Sequence, residues 1–428
     1  MNILFLTIGD FDNLEAGSVH VDLVKKFAAM GHQVYVACKD ERPDCQKVAM
    51  ETISGITLLR IRTGAIKKNT NIFKKGLSTI TLERKYIKAI KGYFSDVKFD
   101  LVLYHTPPIT FGQVVDYIKK RDGAVSYLLL KDIFPQNAVD LGLMSKSGIK
   151  SIIYRYFRRK EVSLYKVSDY IGCMSPANVE YLKNHNRYYP ASRIEVAPNS
   201  VEVRSERLRV LAGASEQVRA GELSSGMRGE VREKYGLPTD TPIFIYGGNL
   251  GKPQGIDYLI RCLDEMKYQE DCYFVIVGSG AEYPKLQAWY DAERQAHADK
   301  LRVKLMQGLP KADYDNLVRA CDVGLIFLDH RFTIPNYPSR LLSYLENKMP
   351  VICATDPHTD IGRIAEENGY GYWCESVRPI DFTVLVHRFL AKPERIKTMG
   401  ERGYEFLKEN YLVDHTYHVI ISHLLCKH

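Results

Sequence analysis

The sequence predicts an α/β protein folded as two doubly wound parallel sheets. Three observations carry this expectation. Short apolar runs rich in β-branched and aromatic residues alternate with helix-period patterns along both halves of the chain, and such βαβ repetition builds parallel sheets covered on both faces. At 428 residues the chain exceeds what one compact core holds, so two domains of roughly 200 residues are the default. Between the halves, residues 202–232 are charged and carry Gly213, Gly221, Gly226 and Gly229, the composition of a linker. The expected division is a first domain over 1–200, a linker over 201–240, a second domain over 241–392, and terminal helices over 393–428 that pack back toward the first domain.

Taken in order, Met1-Asn-Ile-Leu-Phe-Leu-Thr-Ile-Gly9 reads as a buried strand entering a turn. Strands are expected over residues 2–8, 33–38, 57–61, 100–105, 125–130, 170–174 and 193–197, with helices over 19–30, 111–120 and 177–184 among them. The second half repeats the scheme. Its strands are expected over 243–246, 273–277, 303–306, 323–327, 351–354 and 370–374, and its helices over 256–266, 284–294, 311–320 and 339–347. Residues 393–425 are helical in pattern, with breaks expected at Gly400 and Gly403. Doubly wound sheets bind ligands beyond the carboxyl ends of their strands, so the site is expected there, between the two domains.

Composition narrows the class. Hydrophobic content of 45% and charged content of 26% fit a soluble globular protein. No apolar run is long enough to span a bilayer, and no basic leader precedes the first strand, so a cytoplasmic location is expected. Nine cysteines stand without a C-x-x-C pair, which argues against a zinc ribbon or a thioredoxin-type redox motif and for reduced, buried thiols. The net charge of +8 is concentrated. From Arg60 to Tyr93, ten Lys or Arg residues face the single acid Glu83, with Ile66, Ile72, Phe73, Leu77, Ile80, Tyr86 and Ile90 interleaved. From Lys150 to Lys160, Tyr154, Tyr156 and Phe157 alternate with Arg155, Arg158 and Arg159. Basic stripes with aromatics suit an anionic membrane surface or a nucleic acid. Both remain open on composition, as does a solvated helix face, although no nucleic-acid module accompanies the runs; if they dock on the inner face of a membrane, neutralising Lys67, Lys68, Lys74 and Lys75 is expected to weaken liposome binding.

Four loops are candidates for chemistry. Gly247-Gly-Asn-Leu-Gly-Lys252 is one residue short of a P-loop, and Pro253 stands where the magnesium-binding hydroxyl belongs. Gly278-Ser-Gly-Ala-Glu-Tyr283 has two glycines of the dinucleotide fingerprint, but Tyr283 is too bulky at the third position. Gly9 and Gly17 flank a loop that ends at a helix starting near Ser18, where backbone amides can approach a diphosphate. Pro338-Ser-Arg-Leu-Leu-Ser-Tyr-Leu-Glu346 reads as a helix start with an apolar face of Leu341, Leu342 and Leu345, while Arg340, Ser343 and Glu346 line a neighbouring stripe. Lys252 and Arg340, each at a helix start, would neutralise a diphosphate leaving group, the main electrostatic need in sugar transfer from a nucleotide.

The ordered set Gly247-Gly-Asn-Leu-Gly-Lys-Pro-Gln-Gly255, Val277-Gly-Ser-Gly280, Gly308-Leu-Pro310, Pro338-Ser-Arg-Leu-Leu and Lys348-Met-Pro-Val351 resembles retaining GT-B glycosyltransferases of family 4. The likeness is to the branch that builds bacterial O-antigen and capsule, including fucosamine-type transferases. The first half adds Gly17, Met30-Gly-His-Gln-Val34, Thr106-Pro-Pro108, Lys131-Asp-Ile-Phe-Pro135 and Pro198-Asn199, so the likeness covers the whole chain. It implies two Rossmann-like domains facing across a cleft, the second holding a nucleotide sugar and the first an acceptor.

The implied function is transfer of a hexose or N-acetylamino sugar from a UDP-linked donor to a lipid-linked, polyprenyl-diphosphate saccharide, with retention and without a required metal. Lys252 and Arg340 would neutralise the diphosphate. Gly17, Gly248, Asn249, Gln254, Gly278, Ser339, Ser343 and Glu346 would bind the donor, and Leu309 and Lys311 would meet its base by main-chain contacts. Lys131 or Asp132 would orient or deprotonate the acceptor hydroxyl, the alternative being that Asp132 caps the short helix around 135–140. His105 lies on the acceptor side, where a hydrogen-bonded structural role is the plainer reading. The chain departs from the family where two glutamates separated by seven residues are usual. Registering Pro350-Val351 places Pro335 and Ser343 there, and the family's arginine and lysine of the first donor loop fall on Asn249 and Gln254. Two other readings remain: a GT-B-fold nucleotide-sugar 2-epimerase, or a catalytically silent nucleotide-sugar-binding partner subunit.

Overall fold

The computed structural model describes residues 1–9, 11, 14, 17–40, 48–63, 72–149, 151–203 and 225–425, with the side chains of 72–81 and 225 outside the description. The chain divides into two compact units, Met1–Val201 with Val413–His428, and Glu202–Leu412. Residues 204–224 of the expected linker, and Lys67 and Lys68 of the basic run, lie outside the described residues. So do the side chains of Lys74 and Lys75.

The first unit contains β1 (Asn2–Leu6), α1 (Val19–Ala29), β2 (Gln33–Asp40), β3 (Val48–Ile53), β4 (Ile56–Arg62), α2 (Ile72–Tyr93), β5 (Leu101–His105), α3 (Gly112–Asp122), β6 (Val125–Leu130), α4 (Gln136–Asp140), α5 (Ser151–Val167), β7 (Tyr170–Cys173), α6 (Pro176–His185) and β8 (Ile194–Val196). Its sheet runs β3-β4-β2-β1-β5-β6-β7-β8, parallel except for the edge strand β3. The central strands are apolar on both faces, as a sheet covered by helices on both sides requires: β5 and β6 are buried along their whole length. Helix α1 starts where Ser18 accepts the amide of Val21. Helix α3 ends at Gly123, whose φ of 72° suits glycine, with Lys119, Lys120 and Arg121 in the last turn.

The pattern reading contains no strand at β3. All of its residues are exposed or half-buried, so no apolar alternation marks it. The available signal is Ser54-Gly55, whose φ angles of 52° and 77° make the tight turn into β4. Both basic runs lie largely on helices, α2 and α5. The chain's last helix, α15 (Val413–Leu425), packs on α1 through Tyr417, Ile420, Ile421 and Leu424.

The second unit contains α7 (Ser225–Lys234), β9 (Ile243–Asn249), α8 (Ile256–Met266), β10 (Tyr273–Ser279), α9 (Tyr283–His297), β11 (Val303–Gln307), α10 (Lys311–Arg319), β12 (Val323–Phe327), α11 (Arg340–Glu346), β13 (Val351–Thr355), α12 (Ile361–Glu367), β14 (Gly371–Glu375), α13 (Pro379–Leu390) and α14 (Glu394–Asn410). Its six strands run β11-β10-β9-β12-β13-β14, all parallel, with the order reversing between β9 and β12. Helix α8 buries Ile256, Leu259, Leu263 and Met266 against this sheet, each such side chain contributing about 1.5–3 kcal/mol. Residues 225–240 belong structurally to this unit. The buried Arg232 donates to the carbonyls of Ala320, Pro238, Thr239 and Thr241 and to the Asp322 carboxylate.

Gly400 and Gly403 do not break α14, which runs unbroken from Glu394 to Asn410; the helical stretch breaks instead at Tyr411 and Leu412. A Cβ at Gly400 would stand 1.8 Å from the Lys348 carbonyl oxygen, and one at Gly403 would stand 2.8 Å from Leu345. These glycines let α14 lie against α11, and close packing outweighs their low helix propensity.

Candidate active site

At the carboxyl edge of the second sheet, β9 ends in Tyr246-Gly-Gly-Asn249, and tyrosines fix this turn. The place of a Cβ on Gly247 is taken by the Tyr314 hydroxyl, 2.1 Å away, and that on Gly324 by the Tyr344 ring, 2.3 Å away. The Tyr344 hydroxyl accepts the Gly247 amide and donates to the Ile245 carbonyl, each at 3.2 Å. Arg340, at the start of α11, lays its guanidinium carbon 4.2 Å from the centre of the Tyr246 ring. Its Nη2 lies 3.5 Å from where a Gly248 Cβ would be, and Gly248 has a φ of 125°. Arg340 is half-buried, and its Nη1 is buried without a hydrogen-bond partner. A planar cation stacked on an aromatic face is held in place while keeping donor edges for a phosphate.

The adjoining loop is neutral where the family resemblance places cations. The Asn249 side-chain amide donates to Gln254 Oε1 at 3.1 Å, and the Gly251 amide donates to the same oxygen at 3.2 Å. Lys252, in a single 3-10 turn, is exposed, with no partner among the described residues. Gly278, expected at the donor, stands at the end of β10 beneath the β9 loop. It is buried, and its missing Cβ leaves room for the Gly248 carbonyl oxygen 1.9 Å from that position, as Gly280 does for the Leu250 oxygen at 2.2 Å. Both glycines let the β9 loop lie directly on the end of β10.

The remaining expected donor residues are spread along this edge. Leu309 and Lys311 follow β11, which pairs with β10, and Lys311 reaches Asp315 at 3.4 Å. Ser343 and Glu346 are half-buried further along α11. Ser339 is exposed and its hydroxyl caps nothing, contrary to what a serine at a helix start suggests. The amides of Leu341 and Leu342 bond back to Pro338 and Ser339; those of Ser339 and Arg340 have no partner among the described residues. The structure thus joins Gly248 with Arg340, and Asn249 with Gln254. Pattern reading missed Tyr246, Tyr314 and Tyr344; the glycines at 247 and 324 were the only trace of them.

In the first unit, the ends of β1, β5 and β6 gather a second cluster. Thr7 Oγ1 accepts the Gly9 amide at 2.7 Å and lies 2.8 Å from His105 Nε2. His105 stacks on His20 with ring centres 4.1 Å apart, and His105 Nδ1 and His20 Nε2 are buried without partners. Burial, aided by the Lys131 charge, pushes His105 down to about 3 and His20 well below its ordinary value, so both rings are neutral near pH 7. His105 is therefore hydrogen-bonded and stacked, and it retains one uncommitted ring nitrogen.

Thr106 Oγ1 accepts the amides of Lys131 and Asp132, at 3.0 and 3.1 Å, and donates to the Asp132 carbonyl. This clamp fixes the turn after β6. Burial lowers Lys131 to about 7, with Asp132 countering in part, and raises Asp132 to about 6, with Lys131 countering in part. Asp132 does not cap α4. Pro135 is the capping residue, and no side chain bonds the helix there. Gly17, with a φ of 65°, precedes the Ser18 cap of α1. Among the described residues no group of three or more His, Cys, Asp or Glu side chains is placed to hold a metal ion, and no helix is long and apolar enough to cross a membrane.

Two family models match the chain: Glycosyltransferase Family 4 over residues 16–205, and Glycosyl transferases group 1 over residues 227–406. The chain is similar to "Probable glycosyltransferase WbjE" of Pseudomonas aeruginosa, 24% identical over 81% of this chain and 79% of that one. Alpha-D-kanosaminyltransferase of Streptomyces kanamyceticus is 38% identical over a shorter stretch, 19% of this chain and 22% of that one. Among solved structures, sucrose-phosphate synthase from Thermosynechococcus elongatus superposes with a TM-score of 0.74 at 15% identity, covering 100% of this chain and 98% of that one. Anabaena HepE in complex with UDP and glucose does so with a TM-score of 0.69 at 13% identity, covering 100% of each chain.

Proposed function

Because the chain is a glycosyltransferase of the GT-B type, we propose that it moves a hexose or N-acetylamino sugar from a UDP-linked donor to a lipid-linked saccharide, in bacterial surface-polysaccharide assembly and with retention at the anomeric carbon. The observation that carries this reading is Arg340 stacked on Tyr246 beside Gly248, at the point where the strand order of the second sheet reverses. In this reading Arg340 replaces the cation absent from position 249. Charge that develops on the departing diphosphate meets the guanidinium, the amides of Ser339 and Arg340, and Lys252 from the neighbouring turn. No metal is required, because these groups carry the charge. Leu309 and Lys311 receive the base, and Ser343 and Glu346 the ribose.

On the first unit, Asp132 orients the acceptor hydroxyl and takes its proton, a role that a carboxylate of raised pKa suits. Thr106 holds it in place. The UDP seen with Anabaena HepE supports the choice of nucleotide; a lipid-linked acceptor would in turn bring the enzyme to the inner face of a membrane. The test is a thermal-shift scan with UDP, GDP, ADP and dTDP on the wild type and on Lys252→Ala and Arg340→Ala. Stabilisation by UDP, weakened in both variants, is expected. Equal shifts in all three proteins, or none with any nucleotide, would overturn the assignment. Turnover unchanged by EDTA is the companion expectation.

A further inference from the structure

Helix α5 and the loop before it expose a surface that the chemistry of transfer does not use. Ile149 is 89% exposed and Ile152 61%, and Leu143 in the same loop is 42% exposed. Single exposed apolar residues are ordinary, but these stand beside cations. Ile152, Arg155 and Arg159 fall at i, i+3 and i+7 and are all exposed, so they form one stripe on α5. Lys166 continues the stripe, and Lys146 lies at its apolar end, over Tyr154.

The acids that would neutralise such a face are absent or turned inward. Between residues 141 and 168 the only acid is Glu161. It is buried and bonded to Arg158 and Tyr165. Lys160 is likewise committed, to Glu83. Arg155 and Arg159 have no acidic partner among the described residues.

We propose that this face docks on an anionic lipid bilayer, with Ile149 and Ile152 entering the interface and Arg155, Arg159, Lys146 and Lys166 meeting lipid phosphates. It deepens the membrane-facing reading given above and names the surface responsible. Charge complementarity selects an anionic surface, and the pair of isoleucines selects a bilayer over a nucleic acid, which would be met by aromatic and hydrogen-bonding side chains. From Ile152 to Lys166 the stripe is about 20 Å long, so its apolar end can enter while the cationic part lies along the headgroups.

The experiment is co-sedimentation of the full chain with vesicles rich in phosphatidylglycerol, with vesicles of phosphatidylcholine alone, and a filter-binding arm with single-stranded RNA. Binding to the anionic vesicles only, weakened by salt, is expected. Arg155→Gln with Arg159→Gln should lower partitioning about 25-fold, each cation counting about fivefold. Ile149→Ser with Ile152→Ser should lower it at least tenfold. All of these side chains are exposed, so melting temperature and the UDP-induced shift should stay at wild-type values, which separates loss of docking from loss of the donor site. Equal sedimentation of wild type and both double variants, no sedimentation of the wild type, or RNA retention without vesicle binding would each overturn the proposal.

Discussion

Arg340→Ala separates binding from stability more sharply than any other substitution at the carboxyl edge. Removing the guanidinium loses its stacking on Tyr246, about 1–2 kcal/mol for a desolvated cation–π pair. It also removes a buried Nη1 without an acceptor, and an unsatisfied buried donor costs about 1–3 kcal/mol. The two contributions oppose each other, so the net should lie between about 1 kcal/mol lost and about 2 kcal/mol gained, a melting-temperature change of at most roughly 4–8 °C for a unit of this size. Binding has no such compensation. One charge-assisted hydrogen bond to a phosphate is worth about 1.5–3 kcal/mol, so UDP affinity should fall about 10- to 150-fold. Arg340→Lys keeps the charge but not the planar stack and should fall between. The assay pairs calorimetric titration with UDP and scanning calorimetry of the unliganded variants. A loss of more than about 3 kcal/mol of stability with unchanged UDP affinity would refute the reasoning and make Arg340 a packing residue.

Other perturbations give separate checks. Gly278→Ala places a Cβ 1.9 Å from the Gly248 oxygen, a backbone atom that cannot swing aside; urea unfolding should show a loss of about 2–3 kcal/mol, and UDP binding should weaken with it. Lys252→Ala removes an exposed side chain, so stability should stay within about 0.5 kcal/mol while UDP affinity falls severalfold by titration. Asp132, raised to about 6, should give the pH–rate profile an acidic limb centred near pH 6, with activity rising as the carboxylate forms, and Asp132→Asn should abolish both limb and rate. The same shift has a sign in stability: a raised carboxyl stabilises the fold below its ordinary range and loses that contribution as pH rises through 6. Asp132→Asn should therefore gain stability relative to wild type above pH 6 and not below pH 4, measured by chemical denaturation. Lys131, lowered to about 7, acts oppositely, so the penalty for burying its charge should fade as pH rises from 7 toward 10.

The alternation of apolar strands and amphipathic helices was legible because its period is local, and the main strands lie within a few residues of where it puts them. Strand β3 escaped because an exposed edge strand carries no apolar alternation. Gly400 and Gly403 misled because a glycine that breaks a helix and a glycine that lets two helices touch look alike until the neighbour is known. The site divides in the same way. Arg340, Lys252 and His105 could be named from their places at strand and helix ends, and Asp132 through the family resemblance. The stacking of Arg340 on Tyr246, the seat Tyr344 makes for Gly247, and the His20–His105 pair join residues far apart in sequence, and no local spacing reports them. Asn249 and Gln254 were legible as missing cations, but not as partners of each other.

The central claim is that Arg340, displaced from the loop onto α11, holds the diphosphate of a UDP-linked donor. A crystal structure of the protein with UDP tests it most directly. The account predicts the distal phosphate within hydrogen-bonding distance of the Arg340 guanidinium and beside Gly248. A nucleotide seated elsewhere, with Arg340 still stacked on Tyr246 and touching no phosphate, would contradict it.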